Sequence, residues 1–152
     1  MDTMDVKGQA SVEYLLLALV FLIIIGYVTV PLINNTIGNS LDVSHSADAS
    51  AAINSIANAV GVVYSNGPGA VRTINVYFSR GGTLDYNSAN STIEMQVNLN
   101  ETNNSTNKTI DANVPIQVNF NLANVNSATN YNATVTWPVG TPSIINVNLT
   151  QS

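Results

Sequence analysis

Residues Lys7–Ile33 read KGQASVEYLLLALVFLIIIGYVTVPLI. From Tyr14 to Ile33 only Gly26, Thr29 and Pro31 interrupt the apolar side chains, and no charge occurs between Glu13 and Asp42. Those 20 residues, at about 1.5 Å each, span about 30 Å, the thickness of a bilayer's hydrocarbon core. Water does not tolerate such a rod, so it sits in lipid, in an oligomer core, or in each in turn. Two ordinary roles compete for it. A cleavable secretory signal has a shorter apolar region ending at a small-x-small site, and Tyr27-Val28-Thr29-Val30-Pro31-Leu32 offers none. A plain single-pass anchor stays open, although Lys7 is the lone cation on the N-terminal side and is flanked by Asp2 and Asp5, a weak orientation signal.

Composition narrows the function classes. The 152 residues hold 9 acidic and 4 basic side chains, a single His and no Cys, with a net charge of −5. Nucleic acid is thereby disfavoured as a partner, because phosphate binding needs clustered Lys and Arg. Disulfide frameworks, thiolate metal sites and Cys nucleophiles are excluded. Charged residues make up 9%, far below the roughly 25% of ordinary soluble domains. The polarity comes from 23 Asn, 14 Ser and 14 Thr. Catalytic residue types are nearly absent, so the composition points to a structural or surface protein rather than an enzyme, with no cofactor.

The start of the apolar run carries a more specific pattern. Lys7-Gly8-Gln9-Ala10-Ser11-Val12-Glu13-Tyr14 leads directly into it, with Leu17 one turn further on. This resembles the class III signal peptide (Q-x-S-x-E-Y) of archaeal type IV pilins, over about residues 7–33. The resemblance implies that a membrane-embedded prepilin peptidase cuts between Gly8 and Gln9. Residues 1–8 are then a leader, and the apolar segment 9–33 stays on the mature chain as a transmembrane helix that becomes the filament core. It also implies an assembly ATPase and a membrane platform protein as partners, besides further copies of the chain or other pilins. The precursor would sit in the cytoplasmic membrane, N-terminus inside and head outside, before joining an extracellular pilus that serves adhesion.

The residues themselves fit that chemistry. Gly8 leaves the backbone open to a protease, having no side chain to block it. Glu13 is costly at the edge of an apolar run. Cleavage before Gln9 would create an ammonium four residues earlier, able to meet Glu13 on the same helix or on a neighbouring subunit, a device for register more than for stability. Cyclisation of Gln9 to a pyroglutamyl group would remove that charge and leave Glu13 to protonation or to donors such as Ser11. Gly26 and Pro31 weaken the helix, and a kink or local unwinding is expected near Tyr27–Pro31.

Residues 34–65 continue as a less apolar helix. Ile37 and Leu41, then Ala52, Ile56, Val60 and Val63, with Ile53 and Ala59 beside them, form one stripe. Asn66-Gly67-Pro68-Gly69 should end the helix, which would run about 85 Å from Gln9 if unbroken. Beyond residue 70 the period changes to two. Alternation marks strands at 74–78, 93–99, 116–122, 131–137 and 145–149, with a sixth candidate at 109–114. Gly, Pro and Asn turns such as Arg80-Gly81-Gly82 separate them. The fold class is thus α+β: a long N-terminal hydrophobic helix, then an antiparallel sheet or sandwich head over 70–152, with helix residues 50–63 as its lid.

Eight N-x-S/T sequons begin at Asn34, Asn90, Asn100, Asn103, Asn104, Asn107, Asn132 and Asn148. At this composition about five arise by chance, so position is the better argument for N-glycosylation. Asn132 and Asn148 fall on the expected solvent side of their strands, and four sequons crowd the loop expected at 100–108. Asn34 ranks last, lying where helices would bundle. His45, between Ser44 and Ser46, has no partner ligand nearby and reads as part of a solvated helix face, so no metal site is expected. Asp85, Glu94, Glu101 and Asp111 are scattered and read as solvated. Two alternatives to the pilus remain: a membrane-anchored, adhesin-like surface module, and an archaellum subunit.

Overall fold

The computed structural model describes residues 6–99, 106–140 and 143–152. One helix, α1 (Val6–Asn66), is followed by β1 (Val71–Phe78), β2 (Gly82–Asn87), β3 (Thr92–Leu99), β4 (Thr106–Asn113), β5 (Gln117–Phe120), β6 (Asn124–Val125), β7 (Thr129–Thr136) and β8 (Ile144–Gln151). The chain is α+β, with a long apolar N-terminal helix ahead of a largely antiparallel β region. It divides into two compact units, Met1–Asn39 and Ser40–Ser152, and α1 contributes to both.

In the first unit helical backbone continues across Gly26 and Pro31. Pro31 has no N–H to give to the carbonyl one turn back. The Thr36 hydroxyl donates to the Leu32 carbonyl at 2.8 Å in the following turn.

The second unit is built around one apolar core. Its strands form two four-stranded sheets, in the orders β1-β7-β8-β5 and β4-β3-β2-β6. Period-two alternation turns Val76, Phe78, Tyr131, Ala133, Val135, Ile145, Val147 and Leu149 of the first sheet inward, and Leu84, Ile93, Met95, Val97 and Ile110 of the second. Helix residues Ala52, Ile53, Ile56, Ala59, Val60 and Val63 complete the core, all at most 5% exposed. The 3.6-residue period puts them on one stripe, and each large side chain buried adds about 1.5–3 kcal/mol. One groove beside the helix is lined by β1 residues Asn75, Val76 and Tyr77. Another is lined by Ala112 and Asn113 of β4. The helix therefore fills the gap between the edge strands of the two sheets.

The connection from helix to sheet is fixed by glycine. Gly67 (φ 87°) and Gly69 (φ 93°) take left-handed backbone that side chains resist. The Gly67 N–H donates to the Tyr64 carbonyl at 3.3 Å, and the Gly69 N–H to Trp137 at 2.7 Å. Tyr64 then stacks on Trp137, ring centroids 5.3 Å apart, which ties the last helical turn to the end of β7.

Several sequence expectations need correction. Gly82 begins a strand instead of sitting in a turn, and neither β2 nor β6 was anticipated. Only Leu84 of β2 is fully buried and β6 has two residues, so the alternation is too short to register. Asn107 and Lys108 belong to strand β4, paired with Asn98 and Val97, and not to a loop. β5 pairs with β8 in parallel, since alternation reveals strands but not their direction. β5 is short because Asn121 takes over as a side-chain partner. Its Oδ1 accepts from the Leu149 N–H at 2.7 Å while its own N–H donates to Val147 at 3.2 Å.

Candidate functional surfaces

The first surface is the apolar run itself. Every side chain from Val12 to Ile33 is exposed, Tyr14 at 75% and Tyr27 at 83%. By length and composition this helix is sufficient to cross a membrane. With seventeen large apolar side chains open between these limits, covering them gains on the order of 20 kcal/mol. A surface of that size demands lipid or protein around it. Gly8 and Gln9 lie in the first turns of α1, and Glu13, exposed, follows Gln9 by one helical turn. The side chains of Lys7, Gln9, Ser11 and Asn34 lie outside the described residues, as do Asn100, Asn103 and Asn104 altogether.

The two sheets turn unlike faces outward. On the first, register sets Asn75 opposite Asn132 and Thr73 opposite Thr134. The Asn75 Nδ2 donates to the Asn132 Oδ1 at 3.3 Å, and the two threonine hydroxyls lie 3.2 Å apart. Asn119 and Asn146 pair likewise at 3.5 Å. Amide and hydroxyl pairs thus take the place of charged cross-strand pairs. The sequons at Asn132 and Asn148 both lie on this face, and Asn148 is exposed.

On the second sheet, register aligns Asp85 with Glu94 and Glu94 with Asp111. Three carboxylates far apart in sequence therefore form one row across β2, β3 and β4. Glu94 is partly compensated, its Oε1 accepting from Asn87 Nδ2 at 2.7 Å and from the Thr92 hydroxyl at 3.2 Å. Sequence reasoning took these acids as scattered. Pairing register was the missing information, and the unrecognised strand β2 hid it.

His45 also departs from expectation. It is half-buried, with Nδ1 3.2 Å from the Ser79 hydroxyl, so it links the helix to the β1–β2 turn. Among the described residues no group of three or more His, Cys, Asp or Glu side chains is arranged to hold a metal ion. One groove, of about 700 Å³, runs along the helix past Asn54, Asn58, Ser65, Asn66 and Asn113. Its polar lining is amide and hydroxyl, without an acid or base to move a proton. Comparison with protein-family models, curated proteins and solved structures finds no match.

Proposed function

We propose that this chain is a structural subunit of an archaeal-type type IV pilus, held in the membrane by its apolar helix and then polymerised through it. The observation that carries the proposal is the unbroken exposure of Val12–Ile33 on a helix that continues into a folded head. The Gly8-Gln9 motif stands at the mouth of that helix. A secretory signal would be discarded, and a bare anchor would need no such motif.

The energetics follow from exchanging one apolar environment for another. Lipid around Tyr14–Ile33 is replaced by helices of other copies, so the rod never meets water. Cleavage before Gln9 by a prepilin peptidase frees an ammonium whose partner is Glu13. In a dry core an unpaired carboxylate is expensive, so the pair sets the register of each incoming copy. Gly26 and Pro31 ease bending where the helix leaves the core. Head-to-tail contacts of this kind do not close, and they generate a fibre. An assembly ATPase and a membrane platform protein drive the transfer.

Mass spectrometry of the N-terminal peptide from protein sheared off the cell surface tests this. A chain beginning at Gln9, free or pyroglutamyl, with residues 9–33 retained, supports it. Retention of Met1–Gly8 refutes it in favour of a tethered surface module, and loss of residues 9–33 refutes both.

A further inference from the structure

The sequons in the head are not equivalent once the sheets have formed. N-glycan transfer requires the asparagine amide and the hydroxyl two residues on to enter one enzyme site together. The amide nitrogen displaces a polyprenyl phosphate or pyrophosphate from the anomeric carbon of a lipid-linked sugar. A C–N bond forms, the anomeric C–O bond breaks, and the amide gives up one proton as the leaving group departs. A sequon whose hydroxyl is engaged, or whose strand is bonded on both sides, cannot be lifted into such a site.

Three described sequons are closed in this way. Thr92, the hydroxyl of the Asn90 sequon, is 4% exposed and donates to Glu94. Asn132 lies on β7, between β1 and β8, and its Thr134 hydroxyl faces that of Thr73 at 3.2 Å. Asn148 lies on β8, between β7 and β5, and its Thr150 hydroxyl donates to the Asn132 carbonyl at 3.3 Å. Asn107 differs. It stands near the start of β4, which among the described residues is an edge strand paired with β3 alone, and Asn107, Lys108 and Thr109 are all exposed. Successive odd positions of a strand share one face, so the amide of Asn107 and the hydroxyl of Thr109 point the same way.

We propose that, among the sequons of the described residues, Asn107 is the N-glycan acceptor of the folded head, and that Asn90, Asn132 and Asn148 accept a glycan only before the sheets close. Folding then competes with modification at those three positions and leaves Asn107 untouched. The proposal rests on the head lying outside the membrane, as the pilus assignment has it.

Site-resolved glycopeptide mass spectrometry of surface protein, for wild type and Val147→Ala, reads the competition. Val147 is 1% exposed on β8, so truncating it loosens the first sheet. The expected result is wild-type occupancy at Asn107 at least fivefold above each of the other three. In the variant, occupancy at Asn132 and Asn148 should rise at least twofold with Asn107 unchanged. If the variant does not accumulate, the wild-type ratio decides alone. Equal occupancy at Asn107, Asn132 and Asn148 overturns the proposal, as does a bare Asn107, whether or not other sites are modified. A chain that keeps Met1–Gly8 refutes the pilus while leaving this glycan map readable, because the tethered form also displays its head outside.

Discussion

Asp111→Asn should stabilise the head, because it removes one end of a row of like charges. Glu94 sits directly opposite Asp111, and Asp85 directly opposite Glu94. Directly opposed residues on antiparallel strands have Cα atoms about 4.5–5.5 Å apart. Two carboxylates about 6 Å apart in water repel by about 0.7 kcal/mol. Screening at physiological salt, with a Debye length of about 8 Å, removes about half of this. Like charges directly opposite on a sheet fall in the range of about 0.2–1 kcal/mol, so the expected gain is about 0.5 kcal/mol at low salt. Asp111 is the suitable member of the row, since Glu94 also holds Asn87 and Thr92. The assay is urea unfolding of the full chain in mild non-ionic detergent, followed by the fluorescence of Trp137, the single tryptophan, buried at 8% exposure and stacked on Tyr64. With a urea slope of about 1–3 kcal/mol/M, the midpoint should rise by about 0.2–0.5 M. Added salt should then stabilise wild type more than the variant. A lower midpoint for Asp111→Asn, or an identical salt response, would refute the repulsive row.

Ile56→Ala, at a residue 0% exposed on the core-facing stripe of the helix, should cost about 2–5 kcal/mol in the same unfolding assay. Gly82→Ala places a Cβ against the Gln96 carbonyl oxygen and the Met95 methyl group. The clash lies in the paired backbone of β2 and β3, so about 1–3 kcal/mol should be lost, read as a lower midpoint without a change in slope. Glu13→Ala should leave cleavage before Gln9 intact while abolishing filaments. The checks are N-terminal peptide mass and electron microscopy of the sheared fraction, and normal filaments would discard the register role.

Much of this fold was legible because two periods dominate the chain. The stripe through Ala52, Ile56, Val60 and Val63 could only be a helix face, and all four are buried. The glycines after Asn66 stopped the helix where they were expected to, because left-handed backbone suits few other residues. Strand β2 was hidden by its own chemistry. It opens on glycine, carries a charge at Asp85, and has one fully buried apolar side chain, Leu84. The carboxylate row and the parallel pairing of β5 with β8 were out of reach for another reason. Both are properties of register, which depends on contacts between residues far apart in sequence and leaves no local trace. His45 was misjudged on similar grounds, since its partner Ser79 stands thirty-four positions away. The apolar rod was conspicuous throughout, because no other segment runs as long with so few polar side chains.

The scarcity of charge has a physical logic on the proposed function. In a homopolymer each surface charge is presented again by every neighbour, so charged faces tend to meet their own sign. An Asn side chain both donates and accepts, and a Thr hydroxyl does the same. Such groups pair with their own kind, as Asn75 does with Asn132 and Asn119 with Asn146 inside a single head. On the pilus reading, the chemistry that ties β1 to β7 would also let identical heads lie close without repulsion. The cost falls on solubility, which an uncharged amide surface supports poorly. The acids gathered on the opposite sheet supply part of what is missing. Their mutual repulsion costs about 0.5 kcal/mol locally, and in exchange the negative charge stays on one sheet while the other sheet's outer face is left to neutral hydrogen-bonding groups.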